Sequence, residues 1–452
     1  MDGYYAWMIV ATALVLMMTT PALALFYGGM TRSKSVLNMM MMSYISLAVV
    51  GLVFVLWGWS EGWGGDGVGN GNGKLIANPF DMFGLDGVSG ANFIYVLFQL
   101  TFAVITAALI SGAIADRVKM SSWIVFIAAW VTLVYFPVAH NVWGGGWFYH
   151  HFPNLDYAGG TVVHINAGVA GAVLAFIIGR RVGWPKEPMK PHNLTLTMIG
   201  AGLLWFGWYG FNVGSIVFTA DSVSDPVKFS AQFYNETGVT FMNTTVATMA
   251  AMLAWLLIER IMHGKASALG AASGVVAGLV AITPSCGSVS TVGAIAVGAI
   301  AGALCAVAIG LKYKMNLDDS LDVVGVHLVG GVTGALLIGF LGTDSSPQGL
   351  AGLFTDADGK GMNGIFYGGS AELLLHQFLG VLFTIVWCGV FTFVIGLAIK
   401  YTIGWRISEE AEVDGIDSDQ HGEAAYDLHV GFGGGSASSV LAKSTVTEGV
   451  NA

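Results

Sequence analysis

Two histidines, His164 and His327, stand inside runs apolar enough to cross a membrane, and each has the same surroundings. Asp156 precedes His164 by eight residues, and Asp319 precedes His327 by eight. Gly168 and Gly171 follow the first histidine at plus four and plus seven, as Gly331 and Gly334 follow the second. At 3.6 residues per turn, these offsets put each histidine and its glycines within a sector of about 60° on one helix face. A small, polar face on an apolar helix suits close backbone packing around a cavity. An imidazole in hydrocarbon is costly, so it marks a function unless it is simply a satisfied core group. The chemistry open to the pair is proton exchange, because two facing neutral rings can share one N–H and fix each other's tautomer. Metal ligation is the other option, but no HExxH sequence and no paired in-span carboxylates complete a hydrolytic site.

The elements that carry these residues are hydrophobic helices. The chain has 452 residues, 55% of them hydrophobic and 10% charged, with a mean hydropathy of +0.70. This composition excludes a soluble enzyme and predicts an all-α polytopic membrane protein. The 64 glycines fall largely within apolar runs, as tightly packed spanning helices require. Cys286, Cys305 and Cys388 have no metal-ligand spacing and imply neither a disulfide framework nor a redox motif. The net charge of −10 lies largely in the tail and outer loops and gives no sign of nucleic-acid binding.

Eleven runs are long enough to span, near 4–26, 38–59, 93–115, 122–140, 161–179, 194–217, 239–258, 267–283, 291–311, 321–341 and 371–400. All but three of the 18 basic residues (Lys74, Lys228 and Lys360) fall on one side, which predicts an outside N-terminus and a cytoplasmic C-terminus. Arg180 and Arg181 follow the first histidine run, whereas Lys312 and Lys314 precede the second. The two histidine helices are therefore expected to run antiparallel, as in a five-plus-five inverted repeat with an eleventh helix at its periphery. This divides the chain into a transmembrane domain at 1–403 and a cytoplasmic tail at 404–452. The domain holds repeat one at about 4–180, repeat two at about 193–341 and the eleventh helix at about 371–400. Ala22-Leu23-Ala24 resembles a signal-peptidase site, but the preceding segment lacks Lys and Arg, so a retained first helix is expected.

Aromatic residues mark one end of the bundle. Phe98 and Phe102 share a helix face at i and i+4, and so do Phe211 and Ser215. Trp143 precedes the triplet Gly144-Gly145-Gly146 and reads either as an interfacial belt residue or as part of a mouth. Residues 60–92 are a Gly/Asn-rich outer connection with no phosphate-cradling pattern. The tail is acidic at first and Gly/Ser-rich from 431 to 439, so disorder is expected after about 430. Its first part, with Asp417, His421, Gly422, Glu423 and Tyr426, reads as a docking segment or as a solvated tail.

Eight stretches resemble the ammonium transporter family (Amt/Mep/Rh), and in particular its bacterial Amt branch. They are FYGGMTRSKSVLN at 26–38, FAVITAALISGAIADR at 102–117, AHNVWGGG at 139–146, DYAGGTVVHINAG at 156–168, WYGFNVGS at 208–215, AITPSCG at 281–287, DVVGVHLVGG at 322–331 and GIDSDQHGEAAY at 415–426. The resemblance covers essentially the whole chain in order, apart from the 60–92 loop and the tail beyond Asp427. It implies a homotrimer in the bacterial cytoplasmic membrane, with one pore per subunit conducting ammonium or ammonia (methylammonium as analogue). It further implies a PII-type signal protein at the cytoplasmic face, and no cofactor or metal.

Residue by residue, the likeness implies that Trp143, Phe102 and Ser215 recruit ammonium and that Phe102 and Phe211 stack as a gate. His164 and His327 then line the lumen. Asp156 has a structural and proton-handling role near the mouth, and Trp208, Gln99, Thr283 and Tyr27 are supporting vestibule residues. A sensor that reports ammonium through the tail is the alternative to a transporter. The absence of a recognisable kinase or cyclase domain weighs toward transport.

Overall fold

The structure, a computed structural model, describes residues 2–64, 73–187, 189–346 and 362–426. Apolar sequence without in-span charge can satisfy its backbone in hydrocarbon only as helix or closed barrel, and among the described residues every span is helix. Ten of these helices are long and apolar enough to cross a membrane. They are α1 (Asp2–Met30), α2 (Val36–Trp63), α3 (Gly90–Ile114), α4 (Met120–His151), α5 (Gly160–Ile178), α6 (Leu194–Val213), α7 (Pro226–His263), α9 (Thr291–Ala308), α10 (Val324–Leu341) and α11 (Glu372–Tyr401). Between α7 and α9 lies α8 (Ala268–Ile282), apolar but only 15 residues long. Several start at side-chain caps: Asn193 before α6, Asp225 before α7, Ser267 before α8 and Ser290 before α9 each accept a backbone N–H.

Ten of the apolar runs fall on helices long enough to span and the run at 267–283 on the shorter α8, with differences that matter for the site. Helix α7 has 38 residues and begins well before the run at 239–258, because residues 226–238 are helical although polar. Helix α6 ends at Val213, so Ser215 lies on the following loop. Both histidines sit in π-helical turns, Gly160–Ile165 and Val324–Leu328, rather than in regular α-helix. The Ala22-Leu23-Ala24 stretch is buried within α1. Of the sequence expectations, the Gly/Asn-rich part of the outer loop at 65–72 and the tail beyond 430 lie outside the described residues.

The histidine glycines are where helices meet. A Cβ on Gly168 would sit 2.6 Å from the backbone nitrogen of Leu328 in α10. One on Gly331 would sit 3.0 Å from Ile165 and 3.2 Å from His164 in α5. Small residues thus let the two backbones approach and bring their histidines into the same space. Helix α11 packs across both α5 and α10. The Cys388 thiol donates to the Asn166 carbonyl at 3.2 Å, and Gln377 donates to the Leu155 and Ala335 carbonyls at 2.9 and 3.0 Å.

The face that carries most of the arginines is closed by buried ion pairs. Asp116 meets Arg32 at 3.3 Å and Arg181 at 3.1 Å, and Arg181 meets Asp318 at 2.8 Å. Burial works against the charged form of Asp318, yet hydrogen bonds from Arg181 and the nearby Arg117 charge hold its carboxyl below the ordinary aspartate range. Burial pulls the Arg117 guanidinium down to about 10, with Asp318 opposing it.

The tail docks on this face. Ser35, at the start of α2, provides no side-chain cap. Asp417 takes its place from the far end of the chain: its carboxylate accepts from Leu37 N at 3.0 Å and Asn38 N at 2.8 Å. Glu412 accepts from Val182 N at 2.7 Å, Gln420 from Met120 N at 3.1 Å, and the Tyr426 hydroxyl pairs with His192 Nε2 at 2.9 Å. Removing a cap of this kind costs about 1 kcal/mol. Asp417→Ala is therefore expected to loosen the segment and raise the rate of limited proteolysis between 407 and 426. Unchanged cleavage would mean that Asp417 does not hold the tail.

Candidate functional site

The site is a column of aromatic rings above a pair of imidazoles. Phe102 in α3 and Phe211 in α6 stack face to face, with centroids 4.0 Å apart and planes 10° from parallel. Both are buried. Above them Trp143, in the break of α4, presents its ring edge-to-face to Phe102 at 6.1 Å. Its indole N–H donates to the Asp156 carbonyl at 2.8 Å, which pins the half-buried ring. The Ser215 hydroxyl donates to the Phe211 carbonyl at 2.7 Å, so its own oxygen still has lone pairs to accept from a ligand.

Below the stacked rings lies a narrow cavity lined by Met18, Leu23, Phe26, Ile105, Leu109, Val163, Leu204 and Val276, together with Trp208, Phe211 and the two histidines. It leaves about 10 Å³ for the centre of a water-sized molecule, roughly what one such molecule needs. His164 and His327 face each other, Nδ1 to Nδ1 at 3.3 Å. One nitrogen donates and the other accepts, with one proton between the rings, so the two are not both imidazolium; two such cations this close in a dry site would repel. His164 Nε2 is buried with no partner among the described residues. His164 also stacks on Trp208 with centroids 5.3 Å apart, and the Trp208 indole is fixed by donating to Thr283 Oγ1 at 2.8 Å.

A sequence profile described as the Ammonium Transporter Family matches residues 6–426. The chain belongs to this family. An ammonium transporter of Mycobacterium tuberculosis is 49% identical over 95% of this chain and 91% of its own length, and one from Bacillus subtilis is 40% identical over 92% and 96%. Among solved structures, Saccharomyces cerevisiae Mep2 superposes with a TM-score of 0.78 at 29% identity, covering 95% of this chain and 92% of its own. A structure titled Sensor Amt Protein gives 0.79 at 26% identity, covering 92% and 98%. This member of the ammonium transporter family is thus a multi-pass protein of the bacterial cytoplasmic membrane, and the family is one of transporters rather than of enzymes.

The other residues singled out in the sequence are distributed unevenly around the cavity. Asp156 does not face it. Its carboxylate accepts from the backbone N–H groups of Gly159, Gly160, Thr161 and Val162, at 2.5 to 3.1 Å, and from the Thr161 hydroxyl. It caps the π-turn that carries His164. Asp319 does the same for the other turn, accepting from Val323 N at 3.0 Å and Val324 N at 2.8 Å. Thr283 lies behind Trp208 as its anchor. Gln99 is engaged with the Tyr95 hydroxyl at 3.1 Å, and Tyr27 donates to the Leu109 carbonyl at 3.1 Å; neither lines the cavity. Sequence reasoning misses Phe26, Val163 and Val276 as lining residues, because an apolar residue in an apolar helix carries no signal of which way it faces.

Proposed function

We propose that this ammonium transporter recruits ammonium between Trp143, Phe102 and Ser215, removes its proton, and passes ammonia between Phe102 and Phe211 into the twin-histidine lumen. Each aromatic face offers the cation about 0.5–2 kcal/mol, and the Ser215 oxygen accepts one of its N–H bonds. Potassium gains the same aromatic attraction, so recruitment alone does not exclude it. The apolar lumen does: an intact charge costs at least about 3 kcal/mol there. Ammonium avoids that cost by leaving a proton behind, and potassium has none to leave. In a neutral pair, the ring that donates across the Nδ1 contact has an accepting Nε2 and the other ring an Nε2–H donor, which permits the proton to follow the ammonia.

The observation that carries this reading is the pairing of His164 with His327 at 3.3 Å in a cavity with room for a single small molecule. The reading takes α1–α5 and α6–α10 as inverted repeats with α11 outside them, the N-terminus outside and the tail cytoplasmic. It also takes the functional unit as a homotrimer whose cytoplasmic face meets a PII-type protein. A second reading, an ammonium sensor signalling through the tail, is favoured by the tail's hydrogen bonds to the bundle and by the likeness to the protein titled Sensor Amt Protein.

The test is the current evoked by an ammonium pulse on proteoliposomes, with potassium and methylammonium pulses as controls. A current specific to ammonium and methylammonium is expected. Electrical silence with a rise of internal pH would mean neutral ammonia conduction without a following proton, and silence in both records would favour the sensor.

A further inference from the structure

Helix α7 runs for 38 residues, about 57 Å at 1.5 Å per residue, nearly twice the roughly 30 Å of hydrocarbon it has to cross. Its first turns carry Gln232 and Glu236, polar side chains on a helix that needs none to span a membrane. The Gln232 amide clasps the loop that follows Ser215, donating to the Val217 carbonyl at 3.0 Å and accepting from Thr219 N at 3.2 Å. Glu236, fully buried, accepts from the same Gln232 amide at 2.8 Å and from the Tyr157 hydroxyl at 2.7 Å. Tyr157 follows Asp156, whose carbonyl holds the Trp143 indole, and Tyr157 N is itself fixed to the Pro284 carbonyl at 3.1 Å.

The loop is also gripped by aromatic packing. Phe218 stacks on Phe229 of α7 at 4.0 Å, and Tyr4 of α1 meets Phe218, Phe229 and Phe233 edge-on. A continuous path of covalent and hydrogen bonds therefore joins Trp143 on one side of the mouth to Ser215 on the other.

We propose that Glu236, with Gln232 and Tyr157, is the brace that sets the spacing between Trp143 and Ser215, and so the apparent affinity for the cation. These are positioning residues, and the inference rests on the recruitment site described above. Glutamate suits the post because both of its partners donate, and a carboxylate offers two acceptor oxygens on one side chain. Breaking the brace lets the loop move without touching the stacked rings or the histidines, so the cation's binding should weaken while the later steps continue.

The experiment measures concentration dependence of methylammonium uptake in proteoliposomes. Gln232→Ala, at a half-buried position, is expected to raise the apparent KM by about fivefold or more with Vmax within about twofold, the signature of lost binding rather than lost turnover. Glu236→Leu should do the same, and Glu236→Gln should restore a KM within about twofold of wild type, since its oxygen still receives Gln232 and its amide can donate to the Tyr157 oxygen. Trp143→Leu is the parallel arm. If Trp143→Leu raises KM while Gln232→Ala leaves it unchanged, the brace is overturned and the recruitment site stands. If Trp143→Leu also leaves KM unchanged, the recruitment site and the brace fall together. A Glu236→Gln variant as impaired as Glu236→Leu would overturn the geometric brace in favour of an effect of charge.

Discussion

Alanine at His164 or His327 is expected to lower the ammonium-evoked current by at least about tenfold, which corresponds to about 1.4 kcal/mol of added barrier. Each imidazole is the other's hydrogen-bond partner at 3.3 Å, so removing either leaves its mate with a buried, unpaired Nδ1, and the tautomer of the survivor is no longer fixed. The two substitutions should therefore have similar effects, and the double substitution little more than either alone, because they break one unit. Folding should survive, since the helix contacts rest on Gly168 and Gly331 rather than on the rings. The readout is current on proteoliposomes with insertion checked by size-exclusion chromatography. Wild-type current and undiminished discrimination against potassium in both variants would remove the histidines from the mechanism.

Asp156→Ala is expected to damage the fold before the chemistry. The carboxylate satisfies four backbone N–H groups at the start of α5, plus the Thr161 hydroxyl, in a buried setting. Loss of a cap costs about 1 kcal/mol, and each donor left buried and unpaired adds about 1–3 kcal/mol. A total of at least about 3 kcal/mol is reasonable after partial rehydration, seen as a fall of about 3 °C or more in the melting temperature of the detergent-solubilised protein. An unchanged melting temperature would contradict the capping role. Asp156→Asn that melts like wild type but carries no current would instead assign the carboxyl to proton handling.

Much of this arrangement is legible in the sequence where a residue conflicts with its surroundings. A histidine in an apolar helix, a Gly at each helix-face interval and an Asp at a fixed lead are all conspicuous, and they correctly foretell two helices that meet through glycine. The stacking of Phe102 on Phe211 follows from neither segment alone, because it requires α3 and α6 to be neighbours. The π-turns are illegible for a related reason. Their extra residue is selected by what the turn packs against, and Gly160-Thr161-Val162-Val163-His164-Ile165 has no local mark distinguishing it from α-helix. The polarity of residues 226–238 argues against a span, whereas their helicity continues from the apolar part of α7, so hydropathy alone does not find them. Asp417 is the most distant case: nothing near residue 36 announces that the start of α2 is capped by a side chain some 380 positions later.

The π-turns also say something about which changes the chain can absorb. Each fits one residue more than an α-helical turn of the same rise. Shortening 160–165 or 324–328 by a single residue would let the turn close into ordinary helix, and side chains there are set about 100° apart. A deletion ahead of the histidine leaves its offset to Gly168 or Gly331 unchanged, but it turns the capping carboxylate of Asp156 or Asp319 by about 100° relative to the ring and its glycine. Most substitutions in these stretches alter one contact. A one-residue deletion alters the relation between the capping aspartate and the proton-sharing ring, so the length of these two stretches is under stricter constraint than their composition.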